Sequence, residues 1–267
     1  MEPTTSMWMH PGGCLYRGAH ANTAHAAHCV QLLIPTRGQL ELSVDGVRYH
    51  LPAGAALLIP ADLEQRMFVG APRVTLMFDP ELAGARLLGF ATSGAAMVLS
   101  GAQGQRMREF AAALEAAPLA DEAALESVFQ DARTLLSSLG LGAPARLDPR
   151  VEAALELFRQ PWLGLTHTAV SRRAAIAPDH LSHLFRAQLG ISARRYCLWA
   201  RSVAAIEQMV LGCSATQAAE RTGFADLAHF SRTARRYHGL PPSRLPTAHT
   251  RVFAGVYGSE ASLGPAH

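Results

Sequence analysis

Two rhythms of apolar positions run along the chain. Up to about residue 80 they alternate with polar ones. In "QLELSVDGVRYHL" (39–51), Leu40, Leu42 and Val44 share one side, Asp45-Gly46 interrupts, and Val47, Tyr49 and Leu51 resume. That is the pattern of two strands joined by a two-residue hairpin turn. "AALLIP" after Gly54 and "RVTLMF" after Pro72 read as buried strands, and many short strands punctuated by Gly and Pro predict a small barrel or double sheet. From about residue 86 the spacing becomes helical. The stretches 101–117 and 121–139 each repeat apolar residues at helix period, the second opening on Asp121 and closing on Gly140. They form a helical segment suited to coupling or self-association, so a homodimer is an expected partner state. "GLGAPARLDP" (140–149) carries Gly and Pro and marks a domain boundary.

Beyond it the chain reads as helix after helix. Asp148-Pro149 opens one with Val151, Leu155 and Phe158 on a face. Thr166 opens a short one, Pro178 to Gly190 bounds the next, and Ser192 to about Leu211 is a longer rod. Ser214 and Gln217 have capping-box spacing ahead of another short helix. The last is "DLAHFSRTARRYHG" (226–239).

A shift of 49 residues lays "HLSHLFRAQLG" (180–190) on "HFSRTARRYHG" (229–239), matching His180 to His229, Leu181 to Phe230, Ser182 to Ser231, Arg186 to Arg235 and Gly190 to Gly239. Each copy follows a short capped helix and a tight turn, which is the helix-turn-helix pattern twice over. With Leu181, Leu184 and Phe185 buried, a period of about 3.6 residues turns Asp179, Ser182, His183 and Arg186 outward. With Phe230 as anchor in the second copy, Ala228, His229, Arg232 and Arg236 point out and Arg235 lies within reach of phosphate. The rod between the copies would be roughly 27–30 Å long at 1.5 Å rise per residue, close to the ~34 Å between half-sites one DNA turn apart.

Charge supports this reading. The 267 residues carry a net +3, all of the basic charge being Arg, and residues 166–246 hold eleven Arg against four acids, whereas residues 1–147 hold ten Arg against thirteen acids. A cationic C-terminal segment is the electrostatic footprint of a double-stranded DNA partner, although an Arg-rich base composition would also give Arg-only usage. Cys14, Cys29, Cys197 and Cys213 fall in no metal or redox spacing and read as reduced packing residues. No apolar run reaches the length of a membrane span and the N-terminus lacks a signal-peptide pattern, so a cytoplasmic protein without a membrane partner is expected.

Residues 149–246 resemble the double helix-turn-helix domain of the AraC/XylS family of bacterial transcription regulators. The landmarks are "HLSHLF" followed by "LGIS" and Tyr196, the long connecting helix, then "GFAD", "HFSR" and "GLPPS". Ala234 and His238 stand where the family usually has aromatics, Leu245-Pro246 replace its usual ending, and His167 and Ala177 are atypical. Loss of a core aromatic costs ~3–5 kcal/mol where nothing compensates, which predicts a less rigid second unit. The resemblance implies a non-enzymatic transcription regulator, an activator more often than a repressor, with RNA polymerase as a further partner.

Residues 20–80 resemble the cupin-like domain that often precedes this unit. Gly38, Gly54 and Pro60 keep the scaffold, and His25 is retained. Ala27 stands for the second His, Gln31 for the Glu, Gln65 for the later His and Val69 for the Asn. One His with neutral amides is a poor divalent-metal site, so neither metal nor cofactor is expected and a cupin enzyme is disfavoured. His25, Gln31 and Gln65 either hydrogen-bond a small-molecule effector of unknown identity or satisfy one another inside a filled barrel. His20, His25 and His28, with the more distant His10 and His50, could also form an unplanned surface metal site.

The expected architecture is therefore α+β in two domains. A cupin-like β-barrel (1–85) with a helical coupling or dimerisation segment (86–140) is joined by a linker (141–148) to an all-α double helix-turn-helix (149–246), followed by a tail (247–267). A protein-interaction module without DNA binding is the alternative from another class.

Overall fold

In this computed structural model the hairpin forms where the alternation places it. Strands β1 (Ser6–His10), β2 (Gly13–Gly18), β3 (Val30–Pro35), β4 (Gln39–Val44) and β5 (Val47–Pro52) come first, and β4 and β5 pair in antiparallel register from Gln39 opposite Pro52 to Val44 opposite Val47. Asp45 and Gly46 both adopt positive φ, 46° and 79°, as a tight turn between right-twisted strands requires. Residues 5–82, 85–116, 119–141, 144–160, 166–245 and 249–253 are described. The extreme N-terminus, residue 117 of the expected first long helix, linker residues 142 and 143, Pro246 and most of the expected tail lie outside them.

After β6 (Ala56–Ile59), β7 (Gln65–Val69) and β8 (Arg73–Phe78) come helix α1 (Ala85–Ala91), strand β9 (Met97–Leu99), and helices α2 (Gly101–Ala116) and α3 (Glu122–Ser137). The strands pair in two sheets rather than in one closed cylinder. A seven-stranded sheet has the order β10-β1-β2-β8-β3-β6-β9, with β10 being Thr250–Val252, and a three-stranded sheet has the order β5-β4-β7. Leu33, Leu57 and Ile59 of the large sheet pack with Leu40, Leu42, Val44 and Met67 of the small one.

Side-chain alternation divides the large sheet between two environments. Val30, Leu32 and Ile34 of β3 and Val74, Leu76 and Phe78 of β8 face the helices, meeting Phe90, Met107, Leu125, Val128, Phe129 and Leu136. Both long helices thus bury their apolar stripes on the sheet and keep Gln103, Arg106, Glu109, Gln130 and Asp131 outward or near the surface. The opposite face, with Gln31, Leu33, Arg73, Thr75 and Met77, looks toward a cavity.

The second half is helical: α4 (Pro149–Phe158), α5 (His167–Arg173), α6 (Pro178–Leu189), α7 (Ala193–Val210), α8 (Ala215–Arg221) and α9 (Leu227–His238), then a 3-10 turn at Pro242–Arg244. Caps fix the ends. Asp148, Thr166, Ser192 and Asp226 accept backbone N–H bonds at the starts of α4, α5, α7 and α9, and Ser214 with Gln217 forms a reciprocal capping box on α8. Gly190 and Gly239 close α6 and α9 in the left-handed conformation. Phe158, Phe185 and Tyr196 meet pairwise with centroids 5.7–5.8 Å apart.

This helical core does not stop at the linker. Met9, Ala27, Cys29 and Leu88 from the first half belong to it, and Ala145 and Leu147 pack against it. The first residues of the tail also return to the first half: β10 runs parallel to β1, and Phe253 donates its backbone N–H to Met9 at 2.8 Å. No helix among the described residues is long and apolar enough to cross a membrane.

Candidate functional site

In the first helix-turn-helix, α5 and α6 are joined through Ala175, which takes a left-handed φ of 52°. In the second, α8 and α9 are joined through Gly223 at φ 78°. The first helices of the two units are 48 residues apart and the second helices 49, so the second turn is one residue longer.

Leu181, Phe185 and Leu189 of α6 and Phe230, Thr233, Ala234 and Tyr237 of α9 face inward. Leu184 is only half-buried. Outward lie Asp179, His183 and Arg186 on α6 and Ala228, Arg232, Arg235 and Arg236 on α9, all exposed; Ser182 and His229 are half-buried, His229 because its ring stands edge-on to Phe224 at 5.2 Å. No acid among the described residues pairs with Arg186, Arg232 or Arg235. Their guanidinium groups are free to meet phosphate or the acceptors of a base edge. The connecting helix α7 spans 18 residues, or roughly 27 Å, and Tyr237 ties α9 to it by donating its hydroxyl to the Arg195 carbonyl at 2.9 Å.

The second unit is better supported than its sequence predicts. His238 stacks on Trp199 with centroids 5.3 Å apart and its Nε2 lies 3.1 Å from the Ser202 hydroxyl. An imidazole thus fills an aromatic's place, held neutral because burial, then the nearby His25, lowers its pKa to about 3.

Beneath the readers lies a cavity of about 230 Å³. Its floor is the inner face of the large sheet, and its roof comes from the helical half through Trp199, Val203 and Ile206 of α7 and Tyr237 and His238 of α9. His25, Gln31 and Gln65 all line it. His25 exchanges two backbone hydrogen bonds with Gln65, and its Nδ1 lies 2.9 Å from the Thr23 carbonyl. Burial, partly opposed by that carbonyl, lowers the His25 pKa. Arg73, Thr75, Tyr16 and the roof residues join His25, Gln31 and Gln65 there without a motif in the sequence to mark them. The available signal was the alternation of "RVTLMF", which sets Arg73, Thr75 and Met77 on one face.

His28 belongs elsewhere. It is 1% exposed, its Nδ1 is 2.6 Å from Asp62 and its Nε2 is 2.8 Å from Glu81. Arg195 of α7 lies 3.8 Å from Asp62, and Arg159, just past α4, lies 3.9 Å from Asp79. Burial disfavours the imidazolium, but the Glu81 charge and the bonds to Asp62 and Glu81 outweigh it and raise the His28 pKa to about 10. The Glu81 carboxyl, despite burial, is lowered to about 2 by His28 and Asp79. Asp79 is pushed well above its usual value by burial and then by Glu81. His28 is therefore a structural cation between the halves. Among the described residues no His, Cys, Asp and Glu group has the makings of a metal site.

Two capped helix pairs on one rigid rod, with unpaired arginines outward, define a helix-turn-helix DNA-binding fold. Residues 170–247 match the family model described as "Helix-turn-helix domain". Solved structures share the fold of most of the chain. An apo single-substitution variant of ToxT from Vibrio cholerae strain SCE256 is 12% identical over 91% of this chain and 97% of that one, with a TM-score of 0.59. Unsaturated fatty acid-bound wild-type ToxT from the same strain is 11% identical over 91% and 95%, at 0.56. ToxT from Vibrio cholerae O395 bound to (E)-4-(8-methylnaphthalen-1-yl)but-3-enoic acid is 12% identical over 90% and 96%, at 0.55. No curated protein matches the chain in sequence.

Proposed function

We propose that this protein is a sequence-specific transcription activator of the cytoplasm whose grip on DNA responds to a small organic effector held between its two halves. The observation that carries this reading is the cavity: one wall is the sheet of the first half, and the other is α7 and α9, the connecting rod and second reader. A ligand there contacts the part that binds DNA, so its affinity depends on how the readers are presented, and by linkage it biases that presentation. In this division of labour residues 1–85 act as a cupin-like sensor, 86–140 as a coupling segment also available for self-association, and 149–246 as the reader of double-stranded DNA, with RNA polymerase as the downstream partner.

On the DNA side, Arg186, Arg232, Arg235 and Arg236 supply phosphate contacts or guanine readout, while Asp179, Ser182, His183, Ala228 and His229 tune base preference. On the effector side, His25, Gln31 and Gln65 offer polar contacts in an otherwise apolar cavity. The acids bound in the ToxT structures support an effector with a large apolar body.

Selection of duplexes from a random pool by the purified full chain tests the reading. Enrichment of a two-part motif is the expected result. Weak binding indifferent to sequence would overturn it.

A further inference from the structure

One end of the cavity floor holds a cation that no acid among the described residues neutralises. Arg73 is 7% exposed, and its guanidinium lies over the Tyr16 ring, 4.9 Å from the centroid. Its Nε and Nη1 are buried without a hydrogen-bond partner, and no acid among the described residues pairs with it. Thr75, two positions along β8 and on the same face, is 5% exposed and its hydroxyl is also without a partner. Directly across β2 from Thr75 stands Tyr16, so these polar groups form one corner. Buried donors left unmet are costly, charged ones most of all. Burial lowers the Arg73 pKa against the opposing effect of Tyr16, but a guanidinium stays charged at neutral pH.

Away from that corner the cavity turns apolar. Met77 continues the Arg73 row, Cys14 and Met9 flank it, and Val203 and Ile206 lie overhead. We propose that Arg73 and Thr75 form the head-group subsite for an amphiphilic monocarboxylate whose apolar body extends along β8 beneath α7. The proposal rests on the cavity being the effector site. The carboxylate accepts hydrogen bonds from the Arg73 guanidinium and the Thr75 hydroxyl, supplying partners that the described residues do not. A neutral ligand of the same length leaves the cation unmatched.

Isothermal titration of the full-length protein compares decanoate, below its micellar concentration, with decan-1-ol. Wild type is expected to bind decanoate at least about tenfold more tightly, the value of one charge-assisted hydrogen bond. Arg73→Met should lose that preference, decanoate falling to the level of the alcohol while the alcohol is unchanged, and its melting temperature without ligand should not fall. Arg73→Lys should keep part of the preference, and Thr75→Val should lower decanoate affinity alone; these two carry the test if Arg73→Met does not fold. Equal binding of both ligands to wild type, or a decanoate preference that survives Arg73→Met, overturns the subsite but leaves the cavity reading standing. Failure of both ligands to bind, or binding that survives obstruction by Ile206→Trp, overturns the cavity reading and the subsite with it.

Discussion

The imidazole of His28, in the first half, stands edge-on to the ring of Tyr196 in α7, with centroids 5.4 Å apart and the planes at 85°. The contact joins the cation of a buried charge cluster to the aromatic core of the DNA-binding half, because His28 also bridges Asp62 and Glu81. Removing a charge from such a cluster leaves its partners uncompensated. His28→Gln is expected to cost about 3–5 kcal/mol and to split thermal unfolding into two transitions, read by calorimetry.

Two histidines set opposite pH limits. The His28 pKa rises to about 10 on folding, so its contribution is complete below the ordinary value of about 6.5 and is lost as pH climbs through about 10. The His238 pKa falls to about 3, so its contribution is complete above about 6.5 and is lost as pH drops toward 3. Stability should therefore peak near pH 6.5, declining as pH rises toward 10 through His28 and as pH drops toward 3 through His238. His238→Phe, which restores a wholly apolar ring against Trp199, should flatten the acid side in urea titrations and leave the alkaline side unchanged.

Ala175 occupies a left-handed turn position that its counterpart Gly223 adopts without a Cβ. The strain is of order 1–2 kcal/mol, offset in part by the greater unfolded-state freedom of glycine. Ala175→Gly should raise stability by up to about 1 kcal/mol with no loss of DNA binding.

Arg232 and Arg235 are exposed on α9. If each meets one phosphate, alanine at either position weakens binding across all sequences and lowers the slope of log affinity against log salt by about 1. If Arg232 reads guanine, Arg232→Ala instead relaxes preference at one base position. Binding titrations at several salt concentrations separate the outcomes.

The reader was legible because its signals are local. Pro178, Gly190, the Ser214–Gln217 box and Asp226 lie within a turn of the features they set, and the two copies corroborate each other. The hairpin at Asp45-Gly46 was legible for the same reason. How the strands of the described residues divide between two sheets was not, since β9, β10 and the placement of β8 depend on partners distant in the chain. The cavity was half legible: His25, Gln31 and Gln65 reach it, but Arg73 sits in a run that looks uniformly buried, and the roof residues read only as helix core. His28 looked like one of a loose group of histidines, whereas its partners Asp62 and Glu81 come from far along the chain. The expected weakness at His238 was offset by Trp199 and Ser202, contacts that only the fold creates.

On the proposed function, α6 and α9, held by α7, read one face of a single duplex. Hydroxyl-radical footprinting of the full chain on a selected duplex tests it most directly. Two protected patches are expected about one helical turn apart, roughly 10–10.5 base pairs, on the same face, the one assigned to α9 fading in Arg232→Ala. A single patch, or two on opposite faces of the duplex, would contradict it.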